Sequence, residues 1–409
     1  MPNLFLLSAG SLFAFVSGIP DTPPETILWA APAILLAAML IAWGAETSQF
    51  FIAQGFALAI LAWMQTLPEF AVEAVLAWHR QVHFLFANLT GALRLLTGLG
   101  WPMIYFAAAM VHRKREGKPL RSIQLTAEQS ISVVGLIAPL IYVGVIVLKK
   151  SLNLIDAAVL IGIYGAYLFV LSKMPPQAEE EIEDLERIPR AIVLSPRPRR
   201  IAIISSLFVI GGALIYFTAK PFLGSLFAVS LLLGVPAFIF IQWVAPFVSE
   251  FPEFLSTFYW AKSVVRAPMA LMNLVSSNIN QWTLLVAMLP IVLSMSMRTP
   301  TALELDSQQK LEVIMTIGQQ MVGMFFLLNM ELAWWEAASL FGLWLVQFIF
   351  SAIGPGIPFW GPIAERVHLW ITIAYFVWAG FELVRLLLGH RRASAFTEFA
   401  RMWRAHVRG

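Results

Sequence analysis

Two glutamates stand where an apolar chain should carry no charge. Glu69 lies in WMQTLPEFAVEAVLAW (Trp63–Trp78) and Glu253 in FVSEFPEFLSTFYW (Phe247–Trp260), each after a proline and before a phenylalanine. Glu73 follows Glu69 by one helical turn, and Glu250 precedes Glu253 by three residues. A carboxylate at the centre of a membrane helix costs roughly 2.5–3.5 kcal/mol, so four charged and unpaired acids would cost of order 10 kcal/mol. They must bind cations, hold protons or pair with Arg94. Each proline frees the carbonyl four residues earlier, that of Met64 or Val248. Gln65, Thr66 and Ser249 add oxygens on the same turns. Asn88, Asn273, Ser276, Ser277, Asn278, Asn280 and Gln281 add more from the segments that follow. An oxygen-rich, sulfur-free set suits hard cations such as Ca²⁺, Na⁺ or Mg²⁺.

The elements that must position these groups are membrane helices. The 409 residues are 59% hydrophobic and only 12% charged, against about a quarter charged in soluble domains. Apolar runs near 20 residues recur along the chain, long enough to cross about 30 Å of hydrocarbon. Alternating barrel strands are missing, so the fold class is an all-α polytopic membrane protein. Spans are expected at Ile27–Phe51, Gly55–Trp78, Phe84–Val111, Thr126–Leu148 and Asn153–Ser172. A second set is expected at Ile201–Val229, Pro236–Ala261, Pro268–Met297, Gln308–Met330 and Trp334–Ile353, with a last helix at Val367–Leu388 and a possible extra one at Leu4–Ile19. Without cysteine there is no disulfide, thiolate metal site or thiol catalysis. No nucleic-acid surface, GxxxxGK[ST], HExxH or GxSxG pattern is present, so the chain is read as neither ATP-driven nor an enzyme.

The two sets repeat one another. Pro68–Phe70 matches Pro252–Phe254 at an offset of 184, Asn88 matches Asn273 at 185, and TAEQSISVVGLIAPLIYVG aligns with DSQQKLEVIMTIGQQMVGM at 180. The second copy begins five spans later, and five is odd. The copies therefore enter the membrane from opposite sides, an inverted repeat with ions bound near the midplane. The chain divides into an N-terminal segment (1–26), a first five-helix unit (27–172), a charged linker (173–200), a second unit (201–353) and an extra helix with a basic tail (354–409). The linker reads as a solvated loop with a basic patch at the lipid surface. Nineteen of the 27 Lys and Arg fall on the side of the linker and tail, and six on the other. The positive-inside rule puts that side in the cytoplasm, in a plasma (inner) membrane.

These segments resemble the two α-repeats of the calcium/cation antiporter superfamily, the sodium/calcium exchangers and their relatives. The family patterns GTSLPE and GNxxGSNxxN/D are approached by MQTLPE and VSEFPE, and by ANLTGALRLL and MNLVSSNINQ. LIDAAVLIGIYGAYLFVL resembles the family's fifth helix. The resemblance runs from about residue 28 to 352 and implies Ca²⁺ ligation by Glu69 and Glu253. It also carries ligand positions onto Gln65, Thr66, Ser249, Glu250, Asn88, Asn273, Ser277 and Gln281. Departures are equally specific. Met64 and Val248 replace the motif glycines, Ala92 and Leu96 replace the first repeat's serine and final amide, and Arg94 is new.

The sequence thus points to a secondary antiporter exchanging Ca²⁺ or another hard cation for Na⁺ or H⁺, with no permanently bound cofactor. Its partners are inorganic cations and the lipid bilayer. A membrane scaffold or partner subunit on the same fold, without transport, is the alternative that the first-repeat departures leave open. Asp156 and Glu336, aligned by the repeat, are expected at span ends. His79 and His83 are expected at a rim.

Overall fold

The computed structural model describes residues 22–48, 50–51, 66–174, 185, 187–353 and 359–408. The expected helix at Leu4–Ile19, the first half of Gly55–Trp78 with Gln65, and the acidic part of the linker lie outside the described residues.

The first repeat comprises α1 (Ile27–Ser48), α2 (Leu67–Trp78), α3 (Val82–Glu116), α4 (Ala127–Lys149) and α5 (Leu154–Ser172). A short α6 (Arg187–Val193) precedes the second, made of α7 (Arg197–Leu233), the bent pair α8 (Ala237–Ser249) and α9 (Phe251–Ala261), α10 (Ala267–Met297), α11 (Ser307–Leu327) and α12 (Trp334–Ser351). α13 (Gly361–Leu387) and α14 (Ser394–His406) close the chain.

Among the described residues, seven helices are long and apolar enough to cross a bilayer, or eight if α8 and α9 form one broken span. α11 and α12 fall short of that measure for a physical reason. They turn Gln309, Glu312, Gln319, Gln320, Glu336 and Gln347 inward, where all are buried. α7 is longer than its apolar stretch. Its 37 residues rise about 55 Å, so the basic first turn extends beyond the hydrocarbon. The linker's basic end is not the solvated loop expected. α6 buries Ile192 and Val193 and packs on α1, and Arg200 donates to the Val193 carbonyl at 3.1 Å.

The repeat is visible in backbone detail. α3 contains a π-helical stretch at Leu96–Gly100, and α10 one at Gln281–Leu285, 185 residues later. Such stretches insert a residue and shift the face that follows, often at functional sites. Two small antiparallel ladders join the halves reciprocally: Ile123 opposes Leu332, and Leu152 opposes Leu303. All four side chains are buried. The N-termini of α4 and α11 share one capping box, with Gln129 accepting from the Thr126 N–H and Gln309 from the Asp306 N–H. Asp156 and Glu336 cap α5 and α12 in the same way, accepting from the Asn153 and Ala333 N–H groups.

One apolar core runs through most of the bundle. Ala37, Ile41 and Ile215 form a separate small cluster where α1 lies along α7. Small residues allow that close approach: a Cβ at Gly211 would stand 2.7 Å from the Ile41 side chain and 3.1 Å from the Ala37 carbonyl oxygen.

Candidate functional site

α2 starts at Thr66, with Pro68 in its second position, where a missing N–H costs the helix nothing. Glu69 therefore falls in the first turn and Glu73 exactly one turn on, both fully buried. Asn88 of α3 faces them. Its amide donates to Glu69 Oε1 at 2.5 Å and to Glu73 Oε1 at 3.1 Å. The other oxygen of Glu69 accepts from Ser249 Oγ, on α8 of the opposite repeat.

The second repeat builds a related but unequal arrangement. α8 and α9 bend by 53° around Glu250, because Pro252 cannot donate to the carbonyl of Val248. Glu253 Oε1 accepts from Asn273 Nδ2 at 3.0 Å and from Ser277 Oγ. Gln281 Nε2 donates to Glu250 Oε1 at 2.6 Å, and Glu250 lies against Glu253 and near Glu69. Asn280 crosses to the first repeat, donating to Thr66 Oγ1 at 2.6 Å. Ten positions were expected in the site. Eight are brought into this one network, Thr66 is bonded to Asn280, the chain neighbour of Gln281, and Gln65 lies outside the described residues.

What stays unbonded is informative. Glu73 Oε2, Glu253 Oε2, Asn88 Oδ1, Asn280 Oδ1 and Gln281 Oε1 are buried without a hydrogen-bond partner among the described residues. Each is an oxygen, and a buried acceptor without a donor is costly. The set can accept a cation, a proton or water. Among the described residues no three His, Cys, Asp or Glu side chains form a preformed metal cluster. The convergence is instead of acids in pairs with amides and hydroxyls.

The family profile described as sodium/calcium exchanger protein matches residues 26–173 and 204–353. The chain belongs to that family. A crystal structure of an H⁺/Ca²⁺ exchanger, CAX, is similar over 98% of this chain and 97% of that one, with TM-score 0.79 and 28% identity. The sodium-calcium exchanger NCX_Mj, soaked with Na⁺ and Sr²⁺, shares the fold over 80% of this chain and 97% of that one, with TM-score 0.52 and 18% identity. A search of curated proteins finds no match. This member of the sodium/calcium exchanger family is therefore a multi-pass membrane cation antiporter and not an enzyme. Its helices form the expected inverted repeat of two five-helix units.

In this exchanger-family chain Arg94 does not pair with the motif acids, contrary to one expectation from sequence. Its Nη2 is 2.7 Å from Glu312 Oε2 on α11, and both side chains are fully buried. Arg94 also donates from Nε to the Thr90 carbonyl at 2.9 Å, and its guanidinium lies 5.3 Å from the Trp243 ring centre. Glu312 is further held by His368 Nδ1 at 2.7 Å and Gln242 Nε2 at 2.9 Å. The departure at Arg94 thus belongs to a closed ion pair. The tight packing around it is enforced at Gly91, where a Cβ would meet the Gln242 carbonyl oxygen at 1.8 Å. Beside the pair, Thr97 joins the two repeats, its Oγ1 accepting from Asn278 Nδ2 at 3.1 Å and Gln320 Nε2 at 2.6 Å. Glu312, Gln242, His368, Thr97 and Gln320 were not singled out as site residues from sequence. The aligned TAEQSIS and DSQQKLE segments carried the only signal, because Glu312 stands where the first repeat has Ser132.

Two further acids are structural. Asp156 is bonded by Lys149 and Tyr142, and Glu336 by Arg391 at 2.6 Å. Both sit at helix starts but are buried rather than facing the interface.

Proposed function

We propose that the protein exchanges Ca²⁺ for H⁺, with Glu69 and Glu253 as the ligands shared between entering and leaving ions. The observation that carries this reading is the contact of Ser249 with Glu69, which joins the acid of one repeat to the broken helix of the other. Thr66, Asn88, Ser249, Glu250, Asn273, Ser277 and Gln281 complete the oxygen set, and Gln65 belongs with them by its place in the motif. Ca²⁺ takes six to eight oxygen ligands in flexible geometry, which amides and hydroxyls on two broken helices can supply. The likeness to an H⁺/Ca²⁺ exchanger over nearly the whole chain supports H⁺ as the counter-ion. Carboxylates buried without a cationic partner among the described residues support it chemically, since protons are what remain to neutralise them when the metal leaves.

Access alternates when α1 and α7 shift together against the rest, as their separate apolar cluster permits. The linker and C-terminus face the cytoplasm, and the site lies at the bilayer midplane. Uptake of ⁴⁵Ca²⁺ into proteoliposomes tests the reading. A pH gradient should drive accumulation that a Na⁺ gradient does not, and Glu69→Gln or Glu253→Gln should abolish it. Uptake that follows the Na⁺ gradient alone, or is equal in both variants, contradicts it.

A further inference from the structure

We propose that α14 is an interfacial helix, and that its free surface, with the α3–α4 connection beside it, docks onto the anionic headgroup layer of the surrounding bilayer.

α14 has 13 residues, which at 1.5 Å each is about 20 Å, too short to cross hydrocarbon. It packs on the first turns of α4, residues 127–135. Ala395 and Met402, two turns apart, are its buried residues. The next face carries Phe396, Phe399 and Trp403. Phe396 is 41% and Trp403 37% exposed, and Phe399 leans on Trp403 with ring centres 5.8 Å apart. About 130° further round, at 3.6 residues per turn, stand Thr397, Arg401 and Arg404, all exposed. An aromatic face beside an arginine face is the pattern of a helix lying in the headgroup plane, with rings toward the acyl chains and charges toward water.

Neighbouring elements place α14 at that depth. On α13, exposed apolar side chains continue through Phe381, Val384, Leu387 and Leu388, and α14 begins shortly after them. On α3 the exposed apolar residues end at Met110, and the exposed Arg113, Lys114 and Arg115 follow. Both changeovers mark where hydrocarbon gives way to headgroups. α14 is also tied to the bundle there. Ala395 donates its N–H to the Leu328 carbonyl at 2.9 Å, and Arg391 donates to the Phe326 carbonyl at 2.7 Å and to Glu336 at 2.6 Å. The Ile123–Leu332 ladder joins the α3–α4 connection to the same end.

Folding thus gathers charge that the chain keeps far apart. The α3–α4 connection adds exposed Lys118 and Arg121, and the C-terminal segment adds Arg408. The acids at this end are fewer and mostly engaged. Glu398 pairs with Arg401, Glu331 accepts from Ser122 and Gln124, and Glu336 and Glu382 are held by Arg391. Glu116 and Glu128 stand against the remaining cations. Positive charge alone would suit an acidic soluble protein equally well. Exposed rings level with the end of the hydrocarbon favour anionic phospholipid instead.

The chain has no cysteine, so one introduced thiol carries one probe. Ala400 is exposed between the aromatic and arginine faces. Ala400→Cys, labelled with a fluorophore, is reconstituted in nanodiscs of phosphatidylcholine with about a third phosphatidylglycerol. Bromine, which quenches at short range, is placed on the acyl chains of the phosphatidylglycerol or of an equal amount of the phosphatidylcholine. Both should quench, the brominated phosphatidylglycerol about twofold more. The two should become equal in about 1 M salt, where the screening length is about 3 Å. They should also become equal when Arg113→Gln, Lys114→Gln, Arg115→Gln and Arg404→Gln are combined. No quenching by either lipid would leave α14 in water, as a soluble partner's docking site would be, and overturns the proposal. Equal quenching in the unsubstituted background at low salt overturns the anionic preference. Should the combined variant not fold, the salt comparison decides alone: a preference that survives high salt contradicts docking by charge.

Discussion

Two buried charged regions lie a few helical turns apart in this protein, and they are built on opposite rules. Around Arg94 and Glu312 every charge has its counter-charge: guanidinium, carboxylate, His368 and Gln242 interlock at 2.7–2.9 Å. Around Glu69, Glu73, Glu250 and Glu253 the described residues supply four acids, only neutral donors, and oxygens left without partners. The first region is complete as it stands. The second leaves acceptor oxygens open, which a cation, a proton or water can take. An exchanger needs both, because a site that releases its ion cannot also supply the permanent charge that holds its helices in register.

Substitutions can sharpen this contrast, and the largest effect is expected at the open region. Glu253→Gln should reduce ⁴⁵Ca²⁺ uptake to background. It should leave ion-free stability equal or higher, since a buried acid costing roughly 2.5–3.5 kcal/mol when charged has been removed. Loss of stability without loss of uptake would reverse the roles assigned to the two regions. Next comes Glu312→Gln, which strands Arg94. Thermal unfolding in detergent should show a loss of about 3–5 kcal/mol, and the double variant Arg94→Met with Glu312→Leu should recover most of it. A single variant as stable as the double would mean the pair is not closed. A smaller effect is expected for Ser249→Ala, which takes one donor from Glu69 and should change Ca²⁺ affinity by about tenfold, the scale of one hydrogen bond to a charged group. An affinity shift in that variant equal to the loss in Glu69→Gln would place the ligand at Ser249 instead. His368→Gln should matter least. The amide can still donate to Glu312, so a stability change under about 1.5 kcal/mol is expected from the same unfolding measurement.

How much of this was legible before the coordinates follows from how local each signal is. Pro-Glu-Phe at matching offsets is a local pattern, and it gave both the repeat and the acids. Asn88 and Asn273 sit at fixed distance from those motifs, so their pairing with Glu69 and Glu253 was readable too. The partner of Arg94 was not. Glu312 is 218 residues away in the chain, on a helix that sequence presents as merely less apolar, and only packing brings it to 2.7 Å. The crossing of Asn280 to Thr66 was hidden for a similar reason, because the repeat alignment pairs Asn280 with Leu95 and says nothing about contacts between copies. The burial of Asp156 and Glu336 escaped because span-end acids are usually wet, whereas here the exposed Lys149 covers Asp156 from outside and the buried Arg391 follows Glu336 inward.

The most direct test of the contrast is equilibrium ⁴⁵Ca²⁺ binding to purified protein as a function of pH, comparing wild type with Glu253→Gln and with the Arg94→Met, Glu312→Leu double variant. Binding should strengthen as pH rises, vanish in Glu253→Gln and persist in the double variant. Binding that survives in Glu253→Gln and disappears with the Arg94–Glu312 pair would show that the mobile charge lives in the region described here as closed.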